Sequence, residues 1–217
     1  MSEKTSEFII ENGIVTICRK LYGEDLLNLA KALYEGGIKL IEVTFDQSDA
    51  DCIKKTSDAI AMLVANLGDK MLFGAGTVLT LDQVKAAADA GATYIISPNV
   101  DPAIIRYTKE LGLTSIPGAM TPTEIVNAHQ YGADIVKVFP AGYLGIKYVK
   151  DIKGPISHIP LLAAGGINEE NIGEFFSSGY LGFGVSGRLT EGKLIKEKNF
   201  QEFTERAKAF VKALKEA

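Results

Sequence analysis

Residues 24–44 read EDLLNLAKALYEGGIKLIEVT, and one structural unit of the chain is complete within them. Leu26, Leu29, Ala30 and Leu33 recur at helical spacing, so the spacing predicts an amphipathic helix over Glu24 to Glu35. Gly36-Gly37 stops it, and the apolar run Ile38 to Thr44 that follows reads as a strand. The same order extends in both directions. Upstream, Ile14 to Cys18 is a first strand. Downstream come a helix over Ala50 to Leu67, a strand over Met71 to Gly74 and a helix over Leu81 to Ala90. Tyr94 to Ile96 pairs with Pro102 to Leu111, Thr114 to Ile116 with Pro122 to Tyr131, and Asp134 to Phe139 with Ile146 to Ile152. Pro160 to Ala163 leads to Glu169 to Ser178, and Leu181 to Val185 to a last helix, Phe200 to Leu214. Strand–helix alternation requires a parallel sheet, because each crossover returns the chain to the same edge. Eight strands with no break in composition point to an α/β fold, a closed (β/α)8 TIM barrel, with residues 1–217 as one domain. A doubly wound open sheet shares the local pattern; the count and the missing linker favour the barrel. Residues 1–13 are expected to form a short extra helix before the first strand.

The composition narrows the partners. Hydrophobic residues make up 47% and charged residues 23%, as in an ordinary globular protein. A net charge of −4 without a concentrated Lys/Arg run argues against a nucleic-acid surface. No apolar stretch is long enough to span a bilayer, and the polar start Met1-Ser2-Glu3-Lys4-Thr5 lacks a signal peptide's apolar segment, so no membrane partner and a cytoplasmic location are expected. Cys18 and Cys52 suit core positions, and no His/Cys/Asp/Glu cluster has metal-ligand spacing, so metal-free chemistry without a cofactor is expected. His129 and His158 lie away from the strand ends and are expected to face solvent.

Active sites of such barrels lie at the C-terminal ends of the strands. There, Lys137 sits within the apolar run Ile135-Val136-Lys137-Val138-Phe139. Burial favours the neutral amine, a nucleophile for carbonyl carbon; the bland alternative is a strand-end lysine that reaches water or pairs with a carboxylate. Glu42 poses the same question on the second strand, where a regular pleat puts Ile38 and Leu40 on its face. Its carboxyl should have a raised pKa suited to proton transfer, or form a structural ion pair. Gly74-Ala75-Gly76-Thr77 lets a ligand approach the backbone, or simply makes a tight turn. Gly165-Gly166 and Gly184-Val185-Ser186 follow the seventh and eighth strands, the usual phosphate-binding corner.

These phrases, in this order, resemble the aldolases of 2-keto-3-deoxy-6-phosphogluconate and 4-hydroxy-2-oxoglutarate. The motifs are Ala32-Leu33 with Gly36-Gly37, Ile41-Glu42-Val43-Thr44, Gly74-Ala75-Gly76-Thr77-Val78-Leu79, Ile96-Ser97-Pro98, Ile116-Pro117-Gly118, Thr121-Pro122-Thr123-Glu124, Lys137-Val138-Phe139-Pro140-Ala141 and Gly165-Gly166-Ile167. The resemblance implies a class I lyase of carbohydrate metabolism. It would cleave a 2-keto-3-deoxy sugar acid, 6-phosphorylated in the family's usual case, or 4-hydroxy-2-oxoglutarate, to pyruvate and an aldehyde. Lys137 would form the Schiff base and Glu42 would move protons. Arg19, Thr77, Pro98 and Phe139 would surround the keto-acid end, and Gly165, Gly166, Gly184 and Ser186 the phosphate end. One position departs: many members carry an arginine where Asp46 stands, and Arg19 would supply that charge instead. By analogy the chain is expected to form a homotrimer. Two other readings remain open from the residues: a phosphate-binding isomerase or synthase, and a non-catalytic sensor of anionic metabolites.

Overall fold

Among the described residues, nine strands form one all-parallel sheet. The computed structural model describes residues 2–217. In chain order the elements are α1 (Ser2–Asn12), β1 (Ile14–Cys18), α2 (Gly23–Glu35), β2 (Leu40–Thr44), α3 (Cys52–Leu67), β3 (Leu72–Gly76), α4 (Leu81–Asp89), β4 (Tyr94–Ile96) and α5 (Pro102–Glu110). They continue with β5 (Thr114–Ile116), β6 (Gly118–Ala119), α6 (Pro122–Gln130), β7 (Val136–Val138), α7 (Ala141–Lys153), β8 (Leu161–Ala164) and α8 (Ile172–Ser177). The last are β9 (Gly182–Val185), α9 (Gly192–Lys196) and α10 (Phe200–Lys215), with a 3-10 turn at Gly187–Leu189, and the strands lie in the order β5-β4-β3-β2-β1-β9-β8-β7-β6.

The ends of the sheet, β5 and β6, are one strand interrupted at Pro117. Its first half pairs with β4 and its second half with β7. Proline has no N–H to give a ladder, yet its carbonyl still accepts from Lys137 N at 2.9 Å. Asp134 N likewise donates to Ser115 O at 3.0 Å. The ring therefore closes as an eight-stranded barrel, as the sequence predicts.

Alternation along the strands builds two cores. Val15, Leu40, Tyr94, Ile96, Ile116, Ile135, Leu162 and Ala164 point inward and fill the barrel, with Ile9 of α1 plugging its lower end. Ile41, Val43, Phe73, Ala75, Val136, Val138 and Phe183 point outward against the helices, where Leu33, Ile60, Leu63 and Phe210 meet them. The expected N-terminal helix is thus α1, and it works as a stopper. The helices enter through local caps: Asp101 accepts from Ala103 N and Ile104 N ahead of Pro102, and Thr121 and Glu124 form a reciprocal capping box. Among the described residues no helix is long and apolar enough to cross a membrane.

The structure differs from the sequence reading in several places. Ile38 lies before β2 and packs in the outer core, so of the two neighbours expected on the face of Glu42 only Leu40 shares it. The third strand runs on to Gly76 instead of ending at Gly74. The helix expected over Glu169 to Ser178 shrinks to α8, because Asn168 and Asn171 exchange side-chain bonds with the backbone and hold a turn there. The helix expected from Ile146 begins at Ala141 and is broken at Gly145, which adopts φ 73 and ψ 175. The Gly187–Leu189 turn and α9 were not anticipated.

Candidate active site

The inward residues nearest the C-terminal ends of β2 and β7 are Glu42 and Lys137. Both are nearly sealed from solvent, with relative exposures of 2% and 8%. Lys137 stands in register between Gly118 on β6 and Leu162 on β8. Gly118 has no side chain because the Pro98 carbonyl folds against it: a Cβ there would lie 2.4 Å from Pro98 O. The Lys137 ammonium position is 5.5 Å from the centre of the Phe139 ring. On the other side, Glu42 pairs with Ile17 and Gly74, and its carboxylate lies over Gly76, where a Cβ would come within 1.5 Å of Oε1. The two glycines of the Gly74-Ala75-Gly76 phrase therefore make room for side chains. Gly74 admits the Tyr94 ring, whose hydroxyl donates to Ile41 O at 2.7 Å, and Gly76 admits Glu42.

Burial sets the electrostatics. Desolvation lowers the pKa of Lys137 below the usual lysine value; the charge of Glu42 raises it in part, and Arg19 lowers it further. Desolvation likewise raises the carboxyl of Glu42, against the lowering pull of Lys137 and then Arg19. Neither residue joins an ion pair among the described residues, so a structural salt bridge does not account for them. Lys137 and Glu42 thus act on each other, and Arg19 acts on both. Cys18, behind Glu42 on β1, is pushed up to about 12 by burial and by the Glu42 charge, which keeps the thiol protonated.

Arg19 follows β1 and is exposed, with Nη1 3.4 Å from the Thr77 hydroxyl. Thr77 itself takes a left-handed φ of 55. Gln47 holds it there, donating to Thr77 O at 2.7 Å, while buried Gln83 donates to Gln47 Oε1 at 3.0 Å and accepts from Leu79 N at 2.7 Å. Neither glutamine was singled out from the sequence; a polar residue on the buried face of α4 was the one available signal. Asp46 ion-pairs with Lys20 at 2.9 Å, and Ser48 donates to its other oxygen at 2.7 Å. Ser48 and Lys20 hold its carboxyl down at about 2. The acidic residue in the arginine position is therefore neutralised by its own lysine.

The remaining expected residues divide. Pro98 and Phe139 are exposed at the rim of the barrel mouth. Gly165 and Gly166 adopt φ 85 and 81, and Gly165 O accepts from Gly142 N at 2.8 Å. Ser186 is exposed beyond β9, whereas Gly184 is one layer deeper, packed against Ile17 and Ala164. His129 and His158 are exposed, as expected, and meet edge to face with ring centres 5.5 Å apart.

With this geometry established, comparison with known proteins gives a consistent result. The family model for KDPG and KHG aldolase matches residues 6–206. The 2-dehydro-3-deoxy-6-phosphogalactonate aldolase of Escherichia coli is 32% identical over 205 residues, covering 94% of this chain and 95% of that protein. The 2-dehydro-3-deoxy-phosphogluconate aldolase of Haemophilus influenzae is 32% identical over 202 residues, covering 93% and 92%. A solved structure of KDPG aldolase from Legionella pneumophila, with pyruvate captured at low pH as a covalent carbinolamine intermediate, superposes with a TM-score of 0.83 at 28% identity, covering 94% and 97%.

Proposed function

The chain belongs to the KDPG and KHG aldolase family and is a lyase, and from that premise we propose that it cleaves a 2-keto-3-deoxy sugar acid, 6-phosphorylated, to pyruvate and an aldehyde through a Schiff base on Lys137. The observation that carries this reading is the burial of Lys137 inside the barrel, facing Glu42, with its ammonium form disfavoured by desolvation. The carbinolamine captured in the Legionella relative supports the same chemistry.

In this reading the neutral Lys137 amine attacks the C2 ketone to give a carbinolamine, and loss of water leaves a protonated imine. That cation takes the electron pair of the C3–C4 bond, so the bond breaks and an enamine forms. The C4 hydroxyl becomes an aldehyde as its proton passes to Glu42, directly or through one water. Glu42 returns the proton to C3, and water hydrolyses the imine to release pyruvate and the amine. Arg19 and Thr77 hold the keto-acid carboxylate, with Pro98 and Phe139 beside it. Gly165, Gly166 and Ser186 hold the far end, and Gly184 supports them from the layer below. The reading needs no metal or other cofactor. It takes the whole chain as one barrel domain acting in the cytoplasm in carbohydrate metabolism, as a homotrimer.

The test is a panel of keto acids assayed by pyruvate release. It comprises 2-keto-3-deoxy-6-phosphogluconate, its C4 epimer, both without phosphate, and 4-hydroxy-2-oxoglutarate. The 6-phosphorylated acids are expected to be cleaved fastest, with one pyruvate formed per aldehyde. Release of no pyruvate from any of the five would refute the reading.

A further inference from the structure

The corner beyond β8 and β9 carries a charge arrangement that the backbone glycines do not explain. Gly142, Gly165 and Gly166 pack backbone to backbone: a Cβ on Gly142 would lie 2.9 Å from Gly165 O, and one on Gly166 3.0 Å from Gly142 Cα. No side chain fits between them, so any charge presented at this corner must come from the flanking loops. Residues 165–171 and 186–191 contain three carboxylates, Glu169, Glu170 and Glu191, against one cation, Arg188. Glu191 is already taken by Arg206 at 2.7 Å. Without Arg188, a phosphate monoester dianion held there by backbone amides would face Glu169 and Glu170 with no side-chain cation from these two loops.

Arg188 changes that balance. Its Nε meets Glu169 Oε1 at 2.6 Å, bridging the loop after β8 to the loop after β9. Arg206 Nη1 donates to the Arg188 carbonyl at 2.9 Å and fixes the backbone beneath it. The ion pair occupies Nε and leaves the terminal Nη donors of a half-exposed guanidinium available for a second acceptor. Glu169 Oε2 is buried and has no hydrogen-bond partner among the described residues, and Arg188 is the cation paired with this carboxylate. A planar fork with two spare donors is matched to a phosphate group.

We infer that Arg188 is the side-chain cation that selects a phosphate monoester at the far end of the substrate, and that Glu169 is the counter-charge that holds its guanidinium in place and competes with the phosphate for it. The inference rests on the aldolase reading for the substrate, but not for the anion site itself. It assigns opposite effects to the two partners. Removing Arg188 loses the phosphate's partner, whereas Glu169→Gln keeps an oxygen for Nε and removes the competing negative charge. A salt bridge that only stiffened the loops would show the same sign from either side.

The experiment compares a 6-phosphorylated 2-keto-3-deoxy acid with its unphosphorylated counterpart in wild type, Arg188→Gln and Glu169→Gln, alongside titration of each protein with inorganic phosphate. Arg188→Gln is expected to lower kcat/KM for the phosphorylated acid about thirtyfold, or about 2 kcal/mol at 1.4 kcal/mol per decade, and to affect the unphosphorylated acid far less. It should weaken inorganic phosphate binding, and Glu169→Gln should strengthen it. Equal losses on both acids overturn the inference, as do weaker phosphate binding in both variants or a wild type that binds no phosphate. If wild type cleaves neither acid, the aldolase reading fails while the phosphate titration still decides the role of Arg188.

Discussion

Lys137 and Glu42 are each buried as a charge the barrel disfavours, and each moderates the other. That gives a signed prediction for pH. Attack on the ketone needs the neutral amine, so activity should rise with pH through the Lys137 pKa, which burial sets below 10.5. Glu42 raises that pKa, so Glu42→Gln should move the rising limb of kcat/KM to lower pH. In the proposed mechanism the same variant also loses its proton carrier, and kcat should fall by about 10²–10⁴. A limb that stays put would show that Glu42 does not act on Lys137. In the converse variant, Lys137→Met, the carboxyl of Glu42 should titrate still higher, because the neighbouring cation that lowers it is gone; side-chain carboxyl NMR reads this directly. Stability follows the same signs. The raised Glu42 pKa makes a contribution fully present below the unfolded value of 4.5 and lost as pH rises through the folded pKa. Asp46 is the opposite case, held at about 2 by Ser48 and Lys20 and ionised throughout this range. The sequence reading identified Asp46 as a departure but had no way to supply its partner, because Lys20 reaches it only once β1 and β2 lie side by side.

At the scale of elements, β3 is shaped by what it must leave out. Gly74→Ala would drive a methyl to 2.2 Å from the Tyr94 ring, a buried side chain already bonded to Ile41 O. Overpacking of this kind costs about 1–3 kcal/mol, so the denaturant midpoint should fall accordingly. Gly76→Ala meets the Glu42 carboxylate instead and should cost activity more than Gly74→Ala does. Removing the Asp101 cap of α5 by Asp101→Ala should cost about 1 kcal/mol, read from the same midpoint. The periodic elements were legible from sequence because alternation and helical spacing report burial directly. The failures fall where periodicity carries no information. The Asn168/Asn171 turn competes with a helix through side-chain bonds, Gly145 breaks a helix that otherwise continues, and Pro117 splits a strand whose two halves serve different neighbours. Lys137 and Glu42 were legible as charges in apolar strands. Gln47, Gln83 and the Arg188–Glu169 pair were not, since they lie on loops and helix faces where polar residues are ordinary.

In the proposed mechanism the whole molecule separates stability from chemistry along the barrel axis. Glu42, Lys137 and the glycine corner occupy one end; α1 closes the other with Ile9, tied by Lys109 to Asp134 at 2.6 Å and to Ser2 at 2.9 Å. Ile9→Ala should therefore cost about 2–5 kcal/mol of stability as a cavity opens, while kcat is retained because the proposed reacting groups are at the far end. A parallel loss of kcat would mean that the plug also shapes the site. The account as a whole depends on Lys137 being the nucleophile, and one measurement addresses that directly. The protein is incubated with pyruvate, reduced with borohydride and mapped by peptide mass spectrometry. A single reduced pyruvate adduct on Lys137, absent from Lys137→Met, is the predicted result. No adduct, or one on another lysine with Lys137 unmodified in a preparation that cleaves keto acids, would contradict it.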